Sequence, residues 1–167
     1  MQNTHDARHG SSQTIGPLPN QLKGFEVSVL SGAAAVREAL RQILDALKPL
    51  ALDIEEASTV ELVLAEALNN VVEHAYPDPT KEGPINIRCR HLADGLHFRV
   101  NDYGQAMPDG QTPLGQIQCD GLSVEELPEG GFGWFLIRSL AKDIEYARVG
   151  QENQLDLRIA VAYGRPN

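Results

Sequence analysis

Apolar positions along this chain follow two alternating periods, and the switches between them mark out the elements. Phe25, Val27 and Val29 alternate with Glu26 and Ser28, the two-residue period of a half-buried strand. Val36, Leu40, Ile43, Leu44 and Leu47 then fall three and four residues apart. They predict a helix with Ser31 as its N-cap, running to about residue 48 before Pro49 stops it. A second helix is expected over 54–75, with the stripe Val60, Val63, Leu64, Ala67, Leu68, Val71 and Val72 on one side. Pro77-Asp78-Pro79 lies just beyond its end.

Alternation returns over 85–91 and 96–101, around an Ala93-Asp94-Gly95 turn of hairpin type. Residues 103–130 are rich in Gly, Pro and polar side chains, a loop long enough to imply function or motion. A helix over 132–141 follows. Two last strands, 144–149 and 155–162, are joined by Gly150-Gln151-Glu152-Asn153. This order predicts an α+β fold, a two-layer sandwich with a mixed β-sheet and helices on one face. Residues 1–20 are polar with almost no apolar content and read as a disordered leader, leaving 21–167 as a single domain.

Charge narrows the choice of ligands. Fourteen basic against 23 acidic side chains give a net charge of −9, and no basic cluster is present, which argues against direct nucleic-acid binding. A phosphate ligand would meet a repelling field, so a local device must attract it. No apolar run approaches the roughly 18 residues of a membrane helix, and the expected location is cytoplasmic. Cys89 and Cys119 are too far apart in sequence for a close metal-type pair and are expected to pack.

Three short segments carry candidate chemistry. Glu66 and Asn70 stand one turn apart, opposite the apolar stripe of the second helix. Asn70 could ligate a hard cation such as Mg²⁺ while Glu66 accepts a proton. Asp102 closes a strand and could accept from a ring amino group, and Gly104 beside it would let a flat ligand approach the backbone. Gly131-Phe132-Gly133 opens a helix, where unpaired N–H groups make a phosphate site. Each has a plainer reading: a solvated helix face, an Asp-x-Gly turn, a glycine hinge. Between 103 and 137 there is no Lys or Arg, so a triphosphate held there needs a divalent ion and backbone donors, with Arg138 the nearest basic group. Trp134 and Phe135 read as core and rim of the last helix, and His74 as a packing or capping group.

Taken in order, Glu-x-x-x-Asn on a helix, Asp-x-Gly after a strand and Gly-x-Gly opening a helix beyond a long loop resemble the ATP-binding fold of gyrase-type ATPases, Hsp90, MutL and histidine kinases. Residues 61–76 and 130–146 resemble more narrowly the anti-sigma-factor serine/threonine kinases. The resemblance implies a general base at Glu66, Mg²⁺ held by Asn70, adenine recognised by Asp102 with Gly104 beside it, and phosphates covered by Gly131, Phe132 and Gly133. It implies ATP and Mg²⁺ as cofactors. The implied partners are a sigma factor, an anti-sigma-factor antagonist phosphorylated on Ser or Thr, and a second copy of the chain. Some relatives carry Arg just ahead of the lid glycines where this chain has Glu129, which leaves the contact to the terminal phosphate open. A nucleotide-gated module that grips a partner without efficient phosphoryl transfer is the alternative.

Overall fold

The protein is described by a computed structural model over residues 22–113 and 131–162. The expected leader, Cys119, Glu129 and most of the long loop lie outside those residues. The described residues form five strands: β1 (Phe25–Leu30), β2 (Pro84–Leu92), β3 (Gly95–Asp102), β4 (Lys142–Val149) and β5 (Glu152–Ile159). Three α-helices accompany them: α1 (Ala35–Leu47), α2 (Ile54–Asn70) and α3 (Gly131–Leu140). The strand order across the sheet is β1-β2-β3-β5-β4.

The two-layer α+β architecture is as expected, but the sheet is antiparallel at every pairing rather than mixed. Connectivity explains the difference. Helix α3 joins β3 to β4 as a crossover would, and those two strands run the same way. They do not touch, because β5 folds back into the gap between them. Two helices between β1 and β2 likewise return the chain reversed.

Alternation along the strands divides the two faces. Ile85, Ile87 and Cys89 of β2, Leu96, Phe98 and Val100 of β3, and Leu155, Leu157 and Ile159 of β5 share one buried core with the helices. The other face is polar, with Arg88 held by Glu26 and Arg99 by Asp156. Buried Cys89 has its thiol pushed up to about 12 by desolvation, which keeps it an inert packing group.

Helix α2 is the axis of the helical layer. Its stripe Val60, Val63, Leu64, Ala67 and Leu68 is almost wholly removed from solvent. Asp53 caps it: its carboxylate accepts from Glu56 N at 2.8 Å while Asp53 N donates to Glu56 Oε2 at 2.9 Å. Such a capping box satisfies two of the first-turn donors. Beyond Asn70 the helix widens into a π turn, Val71–Ala75, closed by Tyr76 N donating to Val71 O at 3.3 Å.

Ser31 does not cap α1. The helix begins at Ala35 with no side-chain cap, and Ser31 is buried, exchanging two hydrogen bonds with Gly83. Gly83 N donates to Ser31 Oγ, and Ser31 N donates to Gly83 O, each at 2.9 Å. The hydroxyl is drawn off the helix because the chain entering β2 supplies a buried N–H that needs an acceptor. Among the described residues no helix is long and apolar enough to cross a membrane.

Candidate functional site

The sheet, the C-terminal end of α2 and the start of α3 enclose a cavity of ≈ 290 Å³. Asn70, His74 and Ala75 line it from α2 and its π turn, Asp102 from β3, and Trp134 from α3. The segment 105–108 and Tyr146, Asn153 and Leu155 complete the wall. Residues far apart in sequence thus meet where the sequence expected a nucleotide.

Asp102 is 5% exposed at the last position of β3. Its Oδ1 accepts from Gly104 N at 2.9 Å and from Asn153 Nδ2 at 2.7 Å. Among the described residues nothing donates to Oδ2. Desolvation is the dominant influence and pushes the carboxyl above its ordinary range, opposed by those two hydrogen bonds and by the charge of Arg148. A buried carboxylate with one free oxygen on an apolar cavity suits a flat ligand that brings an N–H donor.

Gly104 has a packing role in this geometry. A side chain there would run into the carbonyl of Ala75 at the end of the π turn, and Gln105 N donates to that same carbonyl at 2.8 Å. The glycine lets β3's exit pack on the end of α2. Tyr76 Oη fastens the same corner, accepting from Tyr103 N and donating to Pro84 O, each at 2.9 Å.

On α2, Asn70 Nδ2 donates to Glu66 O at 2.8 Å, which fixes the amide and leaves Oδ1 as its open end. Glu66 is half-buried, whereas Asn69 is exposed. A Cβ at Gly133 would stand 2.5 Å from Glu66 Oε2 and 3.8 Å from Asn70 Nδ2. The first turn of α3 therefore lies directly on the Glu66–Asn70 pair. Trp134 is core and cavity wall at 3% exposure, while Phe132 and Phe135 stack at 6.2 Å on the outer side. Phe132 is half exposed and does not line the cavity.

These residues fit a magnesium nucleotide. Among the described residues no group of three His, Cys, Asp or Glu could hold a metal by itself. Mg²⁺ keeps several waters and is held largely through substrate phosphates, so the open Oδ1 of Asn70 could serve as its protein ligand. The glycine at 133 keeps open, beside Glu66 Oε2 and near Asn70 Nδ2, a space that a side chain would fill. Arg138 is hydrogen-bonded to the start of the loop. Its Nε donates to Pro113 O at 2.8 Å and its Nη2 to Thr112 Oγ1 at 2.6 Å, tying the loop's start to α3.

Asn153 was missed by sequence reasoning, which placed it in a four-residue turn. The turn is the two residues Gly150-Gln151, and Asn153 is the buried second residue of β5, paired across the sheet with Asp102. The signal was faint: an Asn two positions ahead of the alternating Leu155 and Leu157 extends that strand's inward face by one step.

The family model described as histidine kinase-like ATPase domain matches residues 30–159. The serine-protein kinase RsbW of Staphylococcus aureus (strain bovine RF122 / ET3-1) is 34% identical over 94 residues, covering 55% of this chain and 57% of that protein. The same protein from strain JH9 gives the same identity and coverage. The chain thus spans a little over half the length of the curated relatives it matches. In fold it is similar to a solved structure of the RsbU and RsbW domains of Rv1364c from Mycobacterium tuberculosis. That similarity has a TM-score of 0.59 at 16% identity and covers 86% of this chain and 33% of that one.

Proposed function

We propose that this chain, which belongs to the histidine kinase-like ATPase domain family, is a Mg-ATP-dependent protein serine/threonine kinase acting as an anti-sigma factor. Its acceptor is a Ser or Thr of an anti-sigma-factor antagonist, and it holds a sigma factor when that antagonist is absent. A homodimer is the working assembly. The observation that carries the reading is the meeting of Gly133 with Glu66 and Asn70 beside the cavity that Asp102 closes.

Each residue has a distinct task. Asp102 Oδ2 accepts from the adenine amino group and Trp134 walls the ring. Asn70 Oδ1 holds the ion, which supplies charge neutralisation for the phosphates. Backbone N–H groups at the start of α3 orient the phosphate end, where partial positive charge gathers. Glu66 takes the proton of the attacking hydroxyl, within one helical turn of the metal ligand.

The test uses Glu66→Gln with radiolabelled ATP and candidate antagonists. The chain's single tryptophan, Trp134, lines the cavity, so its fluorescence reads ATP affinity directly. Affinity should stay near wild type while transfer falls by ~10²–10⁴.

One observation favours a second reading, a nucleotide-gated binding module. No Lys or Arg is among the described residues lining the cavity, and Arg138 is engaged elsewhere. A wild-type chain that transfers nothing to any antagonist, yet grips a partner only with ATP, would establish that module in place of the kinase.

A further inference from the structure

Behind Asp102 runs a chain of hydrogen bonds that ends on the guanidinium of Arg148. Arg148 Nη1 donates to Asn153 Oδ1 at 2.6 Å and to Gly104 O at 3.1 Å. Tyr146 Oη accepts from Met107 N at 3.0 Å and donates to the same Asn153 Oδ1 at 2.7 Å. Asn153 Nδ2 then donates to Asp102 Oδ1 at 2.7 Å and to Gln105 O at 3.0 Å.

A guanidinium can only donate. It therefore turns the oxygen of the Asn153 amide outward and the nitrogen toward Asp102, where an acceptor is required. Gly104 N makes the same demand on the same oxygen. Tyr146 imposes no direction, because a hydroxyl can donate or accept. Arg148 at the oxygen end and the Gln105 carbonyl at the nitrogen end agree on the amide's sense, and Arg148 is the charged member.

We propose that Arg148 is a positioning residue that, through Asn153, holds Asp102 as a carboxylate and so makes the site prefer a 6-amino to a 6-keto purine. The inference rests on the assignment of Asp102 to the adenine amino group. A carboxylate can only accept, and suits an amino group. A protonated Asp102 could donate from Oδ2 and would suit a keto oxygen instead. Burial presses Asp102 toward that protonated form, and the Arg148 charge opposes it. Without the guanidinium, Asn153 Oδ1 loses its charged donor, and both the polarised Nδ2 bond to Asp102 and the nearby positive charge that favour the carboxylate are weakened.

The other titratable groups around Asp102 are Tyr146 on β4, Tyr103 just past β3, and His74 and Tyr76 at the end of α2. All of them are common to the Arg148 variants compared.

The experiment follows Trp134 fluorescence on the whole chain as ATP or inosine triphosphate is added, from about pH 5 to about pH 8. Wild type should prefer ATP throughout most of this range. Arg148→Gln should lower the ATP-to-inosine ratio by about tenfold at the acid end, with inosine triphosphate binding gained as ATP binding is lost. Arg148→Lys, still only a donor, should restore the wild-type profile. On an Asp102→Asn background, Arg148→Gln should change nothing further. The inference is overturned if Arg148→Gln leaves ratio and pH profile unchanged, or weakens both nucleotides equally at every pH. A wild type with no preference for ATP overturns the adenine assignment itself, and the two failures are told apart by that measurement.

Discussion

Gly133 stands against Glu66 so closely that a Cβ there would come within 2.5 Å of the carboxylate oxygen Oε2. The α2–α3 junction at the site thus depends on a missing side chain. Gly133→Ala should fold, since alanine in a helix is favoured over glycine by about 0.5–1 kcal/mol and the carboxylate end can swing away. Displacing Glu66 removes the proposed base from its place. The expected outcome is near-normal thermal unfolding with phosphoryl transfer reduced by ~10²–10⁴, measured with radiolabelled ATP. Unchanged transfer would mean that Glu66 works from elsewhere.

Asn70 and Asn69 make an internal control. Asn70→Ala should weaken ATP binding measured with Mg²⁺ far more than binding measured in EDTA, because the open amide oxygen is the proposed ligand. Asn69 is exposed, and its replacement should matter little to either. Equal losses with and without Mg²⁺ would assign Asn70 to holding the cleft.

Asp102 sets ligand affinity against stability. Asp102→Asn keeps an oxygen for the Gly104 and Asn153 donors but presents the cavity with a donor, so ATP binding should weaken by about 1.5–3 kcal/mol by calorimetry. Stability should move the other way. A carboxyl raised in the folded state favours folding when protonated, and that advantage is lost as pH climbs from its unfolded value through its folded one. At neutral pH the charged Asp102 is therefore a burden, and Asp102→Asn should unfold at higher urea than wild type. Lower urea resistance would show that its hydrogen bonds outweigh its desolvation.

Gly104→Ala should behave in the opposite sense to Gly133→Ala. Its Cβ meets the backbone carbonyl of Ala75, which has no room to retreat, and the bond from Gln105 N to that carbonyl would be strained with it. A loss of about 1–3 kcal/mol in urea unfolding is expected, together with weaker ATP binding.

The elements were readable because burial imposes a period. The α2 stripe and the alternation of β2 and β3 are wholly buried on one side, and each appears in the sequence as it does in the structure. Helix α1 was read less well. Its deepest positions include Ala35 and Ala39, small residues that let the backbone approach the sheet, whereas the larger Val36, Leu40 and Leu44 stay half-buried. The candidate residues Glu66 and Asn70 can be singled out because spacing along one helix decides which residues share a face, and Asp102 because it ends an alternating strand. Asn153 and Ser31 cannot be read in that way. Their partners, Asp102 and Gly83, lie 51 and 52 residues away in sequence, and only the strand order brings them together. Small polar residues beside a turn look alike until those neighbours are known. The Asn153 amide is bonded in turn to Arg148 of a third strand.

Strand β3 is bonded to β2 over all of its residues and to β5 over all but the first. Its amide hydrogens should consequently exchange with deuterium only when the whole molecule opens, and they should be the last to do so. Asp102 sits at the end of that strand and shares its fate. A ligand gripping this carboxylate would report on the entire cooperative unit, and hydrogen exchange throughout β3 should slow by the same factor that ATP adds to the folding equilibrium.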